Sequence, residues 1–156
     1  ARGNAARKVL RVDLASFKEE FASLGIVLGA RYDGSPLIVS DGTTPPPDEP
    51  AKYIPSATPG GRLPHYWIGE TDSVFDQLGP WFNLLQIGPD APEVSAFAQA
   101  ADELAVTLNV VHIEEGAAEE LYEAKLLLVR PDQHIAWRGD TVPTDVSEIL
   151  KVVIGR

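Results

Sequence analysis

Cysteine is absent from the 156 residues, and so is methionine. Without a thiol there is no disulfide framework, no thiolate metal site, no dithiol redox centre and no cysteine nucleophile. Cations are scarce: 13 Lys and Arg stand against 23 Asp and Glu, a formal charge of −10. Phosphate binding needs clustered Lys and Arg, so this balance argues against a nucleic-acid partner. No apolar run approaches the roughly 20 residues of a membrane-spanning helix, and no membrane partner is expected. The N-terminal ARGNAARKVLRV has neither the long apolar core nor the small-residue cleavage site of a secretory signal. Nor does it begin with Met, which suggests a processed start or a piece of something longer.

Other chemistries are missing too. The glycines form neither G-x-G-x-x-G nor a Walker loop. His65, His112 and His134 show no paired ligand spacing. Ser56, Ser73 and Ser95 lie in no nucleophile elbow. His112 reads as a core or edge histidine within a strand, and His134, beside a turn, as an exposed one. No catalytic, cofactor-binding or metal site is expected in this chain.

What is present is segregated. The first eleven residues hold Arg2, Arg7, Lys8 and Arg11 and no acid. Between Arg62 and Lys125 there is no Lys or Arg and there are twelve acids. This is either a solvated acidic surface or a sign that the basic head and the acidic middle dock, on each other or on a partner, and charge alone does not choose.

Leu10, Leu14, Phe17, Phe21 and Leu24 are spaced 4, 3, 4 and 3, which predicts an amphipathic helix over 9–24, with Gly25 as a left-handed C-cap. Ile26 to Leu28 and Leu37 to Val39 then read as short strands around an Asp33-Gly34 turn, with Asp41-Gly42 closing the hairpin. Eight of the thirteen prolines fall between Pro36 and Pro64. The stretch 43–64 is therefore neither helix nor central strand. Its Tyr53 and Ile54, leading into Tyr66-Trp67-Ile68, suit a connector laid along a surface.

From residue 74 the pattern alternates. A short helix precedes Gly79. WFNLLQI (81–87) reads as a buried strand. Asp90, Pro92 and Glu93 open a helix whose stripe is Val94, Phe97, Ala101 and Leu104. VTLNVVHI (106–113) is the next strand, parallel to the first through a βαβ crossover. The acidic stretch 114–123 reads as partly helical and solvated. KLLLV (125–129) and HIAW (134–137) form an antiparallel hairpin across Arg130-Pro131-Asp132-Gln133, and Val146, Ile149, Leu150 and Val153 mark a closing helix. The order β-α-β-β-β-α is a thioredoxin-like α/β plan lacking redox cysteines. It is preceded by an amphipathic helix, a short hairpin and a Pro-rich connector.

One segment, Pro59-Gly60-Gly61-Arg62-Leu63-Pro64-His65-Tyr66-Trp67-Ile68, gathers Arg, His, Tyr and Trp beside backbone-fixing Gly and Pro. It reads as a loop anchored by its aromatics or as an interface loop. Taken with Leu28-Gly29-Ala30-Arg31-Tyr32 and Ser35-Pro36, with Leu127-Leu128-Val129-Arg130-Pro131-Asp132, and with Ile135-Ala136-Trp137-Arg138, it resembles the C-terminal part of the FAD-dependent aromatic-ring hydroxylases. The phenol hydroxylase and hydroxyphenylpropionate hydroxylase type is the nearest group. The blocks keep the family's order over about residues 9–156.

That resemblance implies a parent protein that uses FAD and NAD(P)H, with both bound by an N-terminal portion and neither by this segment. It implies residues 1–42 as the end of the FAD/substrate portion, 43–68 as connector and 69–156 as the thioredoxin-like domain, non-catalytic and devoted to packing and subunit association. The implied partners are the missing N-terminal portion and further copies of the protein, in the cytoplasm. Arg62, His65, Tyr66 and Trp67 carry over as domain-packing or interface residues. Gln133 departs from the family, which generally has Gly there, so that turn must differ or accept strain. The alternative is a stand-alone thioredoxin-like binding or dimerisation module.

Overall fold

A computed structural model describes residues 2–17, 23–114 and 116–156. Its contacts divide into two units, 1–30 with 46–54, and 31–45 with 55–156.

In the first unit, helix α1 spans Arg2–Ser16 and helix α2 spans Leu24–Leu28. The predicted 9–24 helix thus starts earlier and gives way to a turn at Phe17, and residues 18–22 of the prediction lie outside the described residues. Ala5, Ala6, Arg7 and Lys8 are good helix formers with no apolar period to announce them. Phe21 lies outside the described residues. Gly25 is not a C-cap but sits inside α2. Its N–H donates to Pro50 O at 3.0 Å, and a side chain there would collide with Glu49 O. The glycine is required by this close approach of the 46–54 segment. Ile26 to Leu28, predicted as a strand, is the body of α2, because an apolar run this short has no period that separates strand from helix.

The second unit holds the rest. Residues 31–66, of which 46–54 belong to the first unit, contain neither helix nor strand. Asp33-Gly34 does turn, with Gly34 at φ +70, but Leu37 to Val39 is not a strand. Val39 makes a single ladder-like bond, N–H to Ala136 O at 2.8 Å, and Ile38 and Val39 pack against the core. The connector is more than a surface strap: Ala57 and Leu63 are fully buried.

Strands β1 (Trp67–Ile68) and β2 (Asp72–Ser73) form a small antiparallel ribbon leading into helix α3 (Val74–Gln77). Then come β3 (Phe82–Ile87), α4 (Ser95–Glu103), β4 (Leu108–Ile113), α5 (Ala117–Tyr122), β5 (Leu126–Val129), β6 (Ile135–Gly139) and α6 (Val146–Ile154). The sheet order is β4-β3-β5-β6, with β3 and β4 parallel and β5 antiparallel to both β3 and β6.

Strand side chains alternate between two cores. Leu85, Ile87, Val111, Ile113, Leu127 and Val129 face Tyr122, Ala118, Val74 and Leu63. Leu84, Leu126, Leu128 and Val110 face α4 and α6 through Phe97, Ala101, Val146, Leu150 and Val153. The predicted α4 stripe is the buried face. The N-cap position falls at Val94, one turn after Asp90, and Glu93 accepts from Ser95 N–H at 3.1 Å instead.

His134 corrects the expectation of exposure. It is 8% exposed, with the Tyr32 ring 4.4 Å away and Nδ1 3.0 Å from Asp132 O. Its cover arrives from a hundred residues upstream, which local reading cannot see. His112 lies exposed on β4, an edge strand.

Candidate functional site

Residues 60–63 are stitched to the β5–β6 hairpin. Gly60 N–H donates to Ile135 O at 2.7 Å, Ile135 N–H to Gly61 O at 2.9 Å, and Leu63 N–H to Gln133 O at 2.8 Å. Gly60 needs its hydrogen side chain, at φ +96 with Tyr32 O against it. The stitching aims Arg62 at the hairpin turn. Its Nη2 donates to Gln133 Oε1 at 3.0 Å, and the guanidinium lies over the Phe75 ring at 5.3 Å from the centroid.

Phe75 is held by the first turn of α3. Ser73 N–H and Oγ–H both donate to Asp76 Oδ2 at 2.7 Å, a reciprocal cap. Those two bonds hold the Asp76 carboxyl below the usual range. The His65 ring meets Trp67 edge-on at 4.7 Å and Phe75 at 6.0 Å. Trp67 is 59% exposed.

The four residues singled out in the sequence therefore do not share one place. Arg62 and His65 flank Phe75, and Trp67 packs on His65. Tyr66 turns toward the core, where its ring lies 6.2 Å from that of Tyr122 and its carbonyl accepts from Val74 N–H at 2.8 Å. Tyr122 ties in the same segment by donating to Pro64 O at 3.0 Å.

Gln133 stands at φ +66, so the turn keeps its geometry and takes the strain. The strain is offset by the bond to Arg62. A double-mutant cycle separates the two. In wild type, Gln133→Gly should be nearly neutral. In an Arg62→Ala background it should raise stability by about 1 kcal/mol in urea unfolding. Equal effects in both backgrounds would show that the bond carries no weight.

The cluster offers a cation and aromatic faces. Among the described residues no carboxylate lies within ion-pair distance of Arg62. Each serine hydroxyl considered is spent locally: Ser56 on Thr58 at 2.8 Å, Ser73 on Asp76, Ser95 on Glu93 at 2.5 Å. No group of three metal-ligating side chains forms among the described residues.

A second constellation escaped the sequence reading. Arg138 is 8% exposed, yet its guanidinium reaches Asp41 Oδ2 at 2.6 Å, Glu123 Oε2 at 3.1 Å, Thr43 Oγ1 at 3.3 Å and Tyr122 O at 3.3 Å. The signal was an arginine directly after the apolar run of a strand, which demands a carboxylate from elsewhere. Nothing local names Asp41 as its source.

The family model described as aromatic-ring hydroxylase, C-terminal, matches residues 56–156. Phenol 2-monooxygenase of Pseudomonas sp. (strain EST1001) is 30% identical over 166 residues, covering 95% of this chain and 27% of that protein. The solved structure of the rebeccamycin biosynthetic enzyme RebC with reduced flavin superposes with a TM-score of 0.81 at 33% identity, over 99% of this chain and 28% of that one. The flavin-dependent monooxygenase PieE, in complex with FAD and substrate, gives 0.76 at 29% identity, over 96% and 29%. The chain thus spans little more than a quarter of the length of these relatives. With the hairpin-stitched 59–67 segment, the mixed sheet and the match over 56–156 in agreement, the chain belongs to the aromatic-ring hydroxylase C-terminal family.

Proposed function

We propose that this chain is the C-terminal association domain of an FAD- and NAD(P)H-dependent aromatic-ring monooxygenase of the phenol hydroxylase type, cytoplasmic and without catalysis of its own. In such a parent, FAD supplies oxygen activation and NAD(P)H the electrons. The observation that carries this reading is the span: relatives described as flavin monooxygenases are more than three times as long, and the family model that matches this chain describes a C-terminal domain.

The residues present do not fit a bound dinucleotide. The βαβ crossover opens with Gly88-Pro89-Asp90-Ala91-Pro92-Glu93, which places two prolines and two acids where a pyrophosphate needs glycine amides and no negative charge.

The β4-β3-β5-β6 order supports reading 69–156 as thioredoxin-like, with the parallel pair followed by a hairpin and a closing helix. In this reading 1–42 ends the FAD/substrate portion and 43–68 is the connector. The Arg62, His65 and Trp67 surface and the apolar sides of α1 are covered by that portion or by a second subunit, and Tyr66 anchors the loop from within. The chain purified alone should be colourless and should leave added FAD with its free fluorescence. Stoichiometric flavin carried by these 156 residues would overturn the proposal.

A further inference from the structure

On the sheet face that meets α4 and α6, both parallel strands run apolar, apolar, polar. The series are Phe82, Leu84 and Gln86 on β3, and Leu108, Val110 and His112 on β4. Gln86 and His112 are register partners. They therefore emerge side by side, about 4.8 Å apart, at the carboxyl ends of the two strands.

The β3–α4 loop and the residues after β4 enclose a cleft of about 480 Å³ at this polar pair, lined also by Gly88, Ala91 and Glu114. In open α/β sheets the crevice beyond the carboxyl ends of parallel strands is the usual place for a ligand.

Gln86 is 8% exposed. Its Nε2 donates to Pro92 O at 2.7 Å, which fixes the amide's orientation and leaves Oε1 buried with no donor among the described residues. An apolar side chain of similar size would avoid that cost. Oε1 is sealed from water, so a donor reaches it only as a lining side chain turns. His112, exposed and with no hydrogen bond recorded among the described residues, is the side chain free to do so.

The walls carry acceptors and negative charge. Glu114 lines the cleft, and the Glu119 carboxylate lies so close to Gly88 that a Cβ there would collide with it. No Lys or Arg occurs between Arg62 and Lys125. Lys125, whose carbonyl accepts from Ile87 N–H, is not among the lining residues.

We infer that this cleft binds a guanidinium or primary ammonium group, accepted by Gln86 Oε1 and the Glu114 carboxylate beside a movable His112 ring. Two acceptors with a net negative rim suit a forked N–H donor.

The test is a ¹H–¹⁵N NMR titration of the whole chain with three singly charged probes: methylguanidinium, a neutral-capped tripeptide containing one arginine, and tetramethylammonium, which has the charge without N–H. Saturable shifts of the Gln86 side-chain amide and the His112 backbone are expected for one or both N–H donors. Tetramethylammonium should bind at least about tenfold more weakly. Tighter binding of the peptide marks a protein arginine as the source, and tighter binding of methylguanidinium marks a free small-molecule cation. Gln86→Met should cost about tenfold in affinity with the remaining spectrum unchanged, and Glu114→Gln, a surface change with no folding risk, severalfold. Shifts that never saturate, equal binding of tetramethylammonium, or affinity unchanged in Glu114→Gln together with Gln86→Met would overturn it.

Discussion

Arg138→Ala should lower the unfolding free energy by about 3 kcal/mol, because it removes the buried member of a charge cluster and frees every group that cluster holds. Four acceptors lose their donor at once: Asp41 Oδ2, Thr43 Oγ1, Glu123 Oε2 and the buried carbonyl of Tyr122. The carboxylates can turn to water, since the Asp41 side chain is 24% exposed and that of Glu123 is 65% exposed. The Tyr122 carbonyl is buried and gives up the Arg138 N–H, which adds to the loss. Arg138→Lys keeps the charge but not the fork that spans 41–43 and the end of α5, so it should fall between wild type and alanine. Urea unfolding of the three proteins checks the order. A loss under about 1 kcal/mol for alanine would mean that the cluster is no better than a surface pair.

The same cluster sets an acid limit. Burial pushes the Asp41 carboxyl up, but bonds from Thr43 and Arg138 outweigh it and hold it below its usual 3.8. Asp132 behaves alike: burial raises it, Arg130 and the His134 N–H lower it further, and the net is downward. A carboxyl that binds protons less tightly folded than unfolded stabilises the fold above its unfolded value. That contribution is lost as pH falls from about 3.8 through the lower folded value. Asp41→Asn should therefore flatten the stability profile below pH 4 and have its main cost above it.

How much of this was legible follows from the range over which each signal acts. The β3–α4–β4 crossover, the β5–β6 hairpin and α6 were readable because their apolar residues recur at the period of the element that forms. The turn at Gln133 was readable as a conflict between residue and position, and its φ of +66 is that conflict kept. Elements 24–28 and 37–39 were not readable, since three apolar residues have no period and their conformation is set by what passes nearby: Pro50 for Gly25, Ala136 for Val39. The same holds for the sites. Arg62 and His65 stood out by composition, yet Phe75, which they flank, lies in another element. Asp41 and Arg138 are 97 positions apart. The polar ends of β3 and β4 were visible only as single residues, because register, not sequence, pairs Gln86 with His112.

The second large effect concerns α1. Val9, Leu10, Val12, Leu14 and the following Phe17 are 53–66% exposed. Leu10, Leu14 and Phe17 share one side of the helix, while Val9 and Val12 line an apolar groove with Ala5 on another. A helix apolar on two sides is made to be covered. Burial of three such side chains on each of two chains is worth roughly 5–8 kcal/mol per chain by area, of the same order as the roughly 4–15 kcal/mol that association costs. The isolated chain should therefore self-associate. Leu10→Glu with Leu14→Glu should weaken that association by at least about a hundredfold in sedimentation velocity, and the 69–156 region should unfold as before. If the proposed flavin-bearing parent is right, the same pair should loosen this segment from the rest of it, seen as faster hydrogen exchange along α1 with the absorbance of bound flavin retained. An isolated chain that stays monomeric while the amides of α1 remain protected would mean that the helix is covered from within, and the assignment of its apolar sides to a partner would fall.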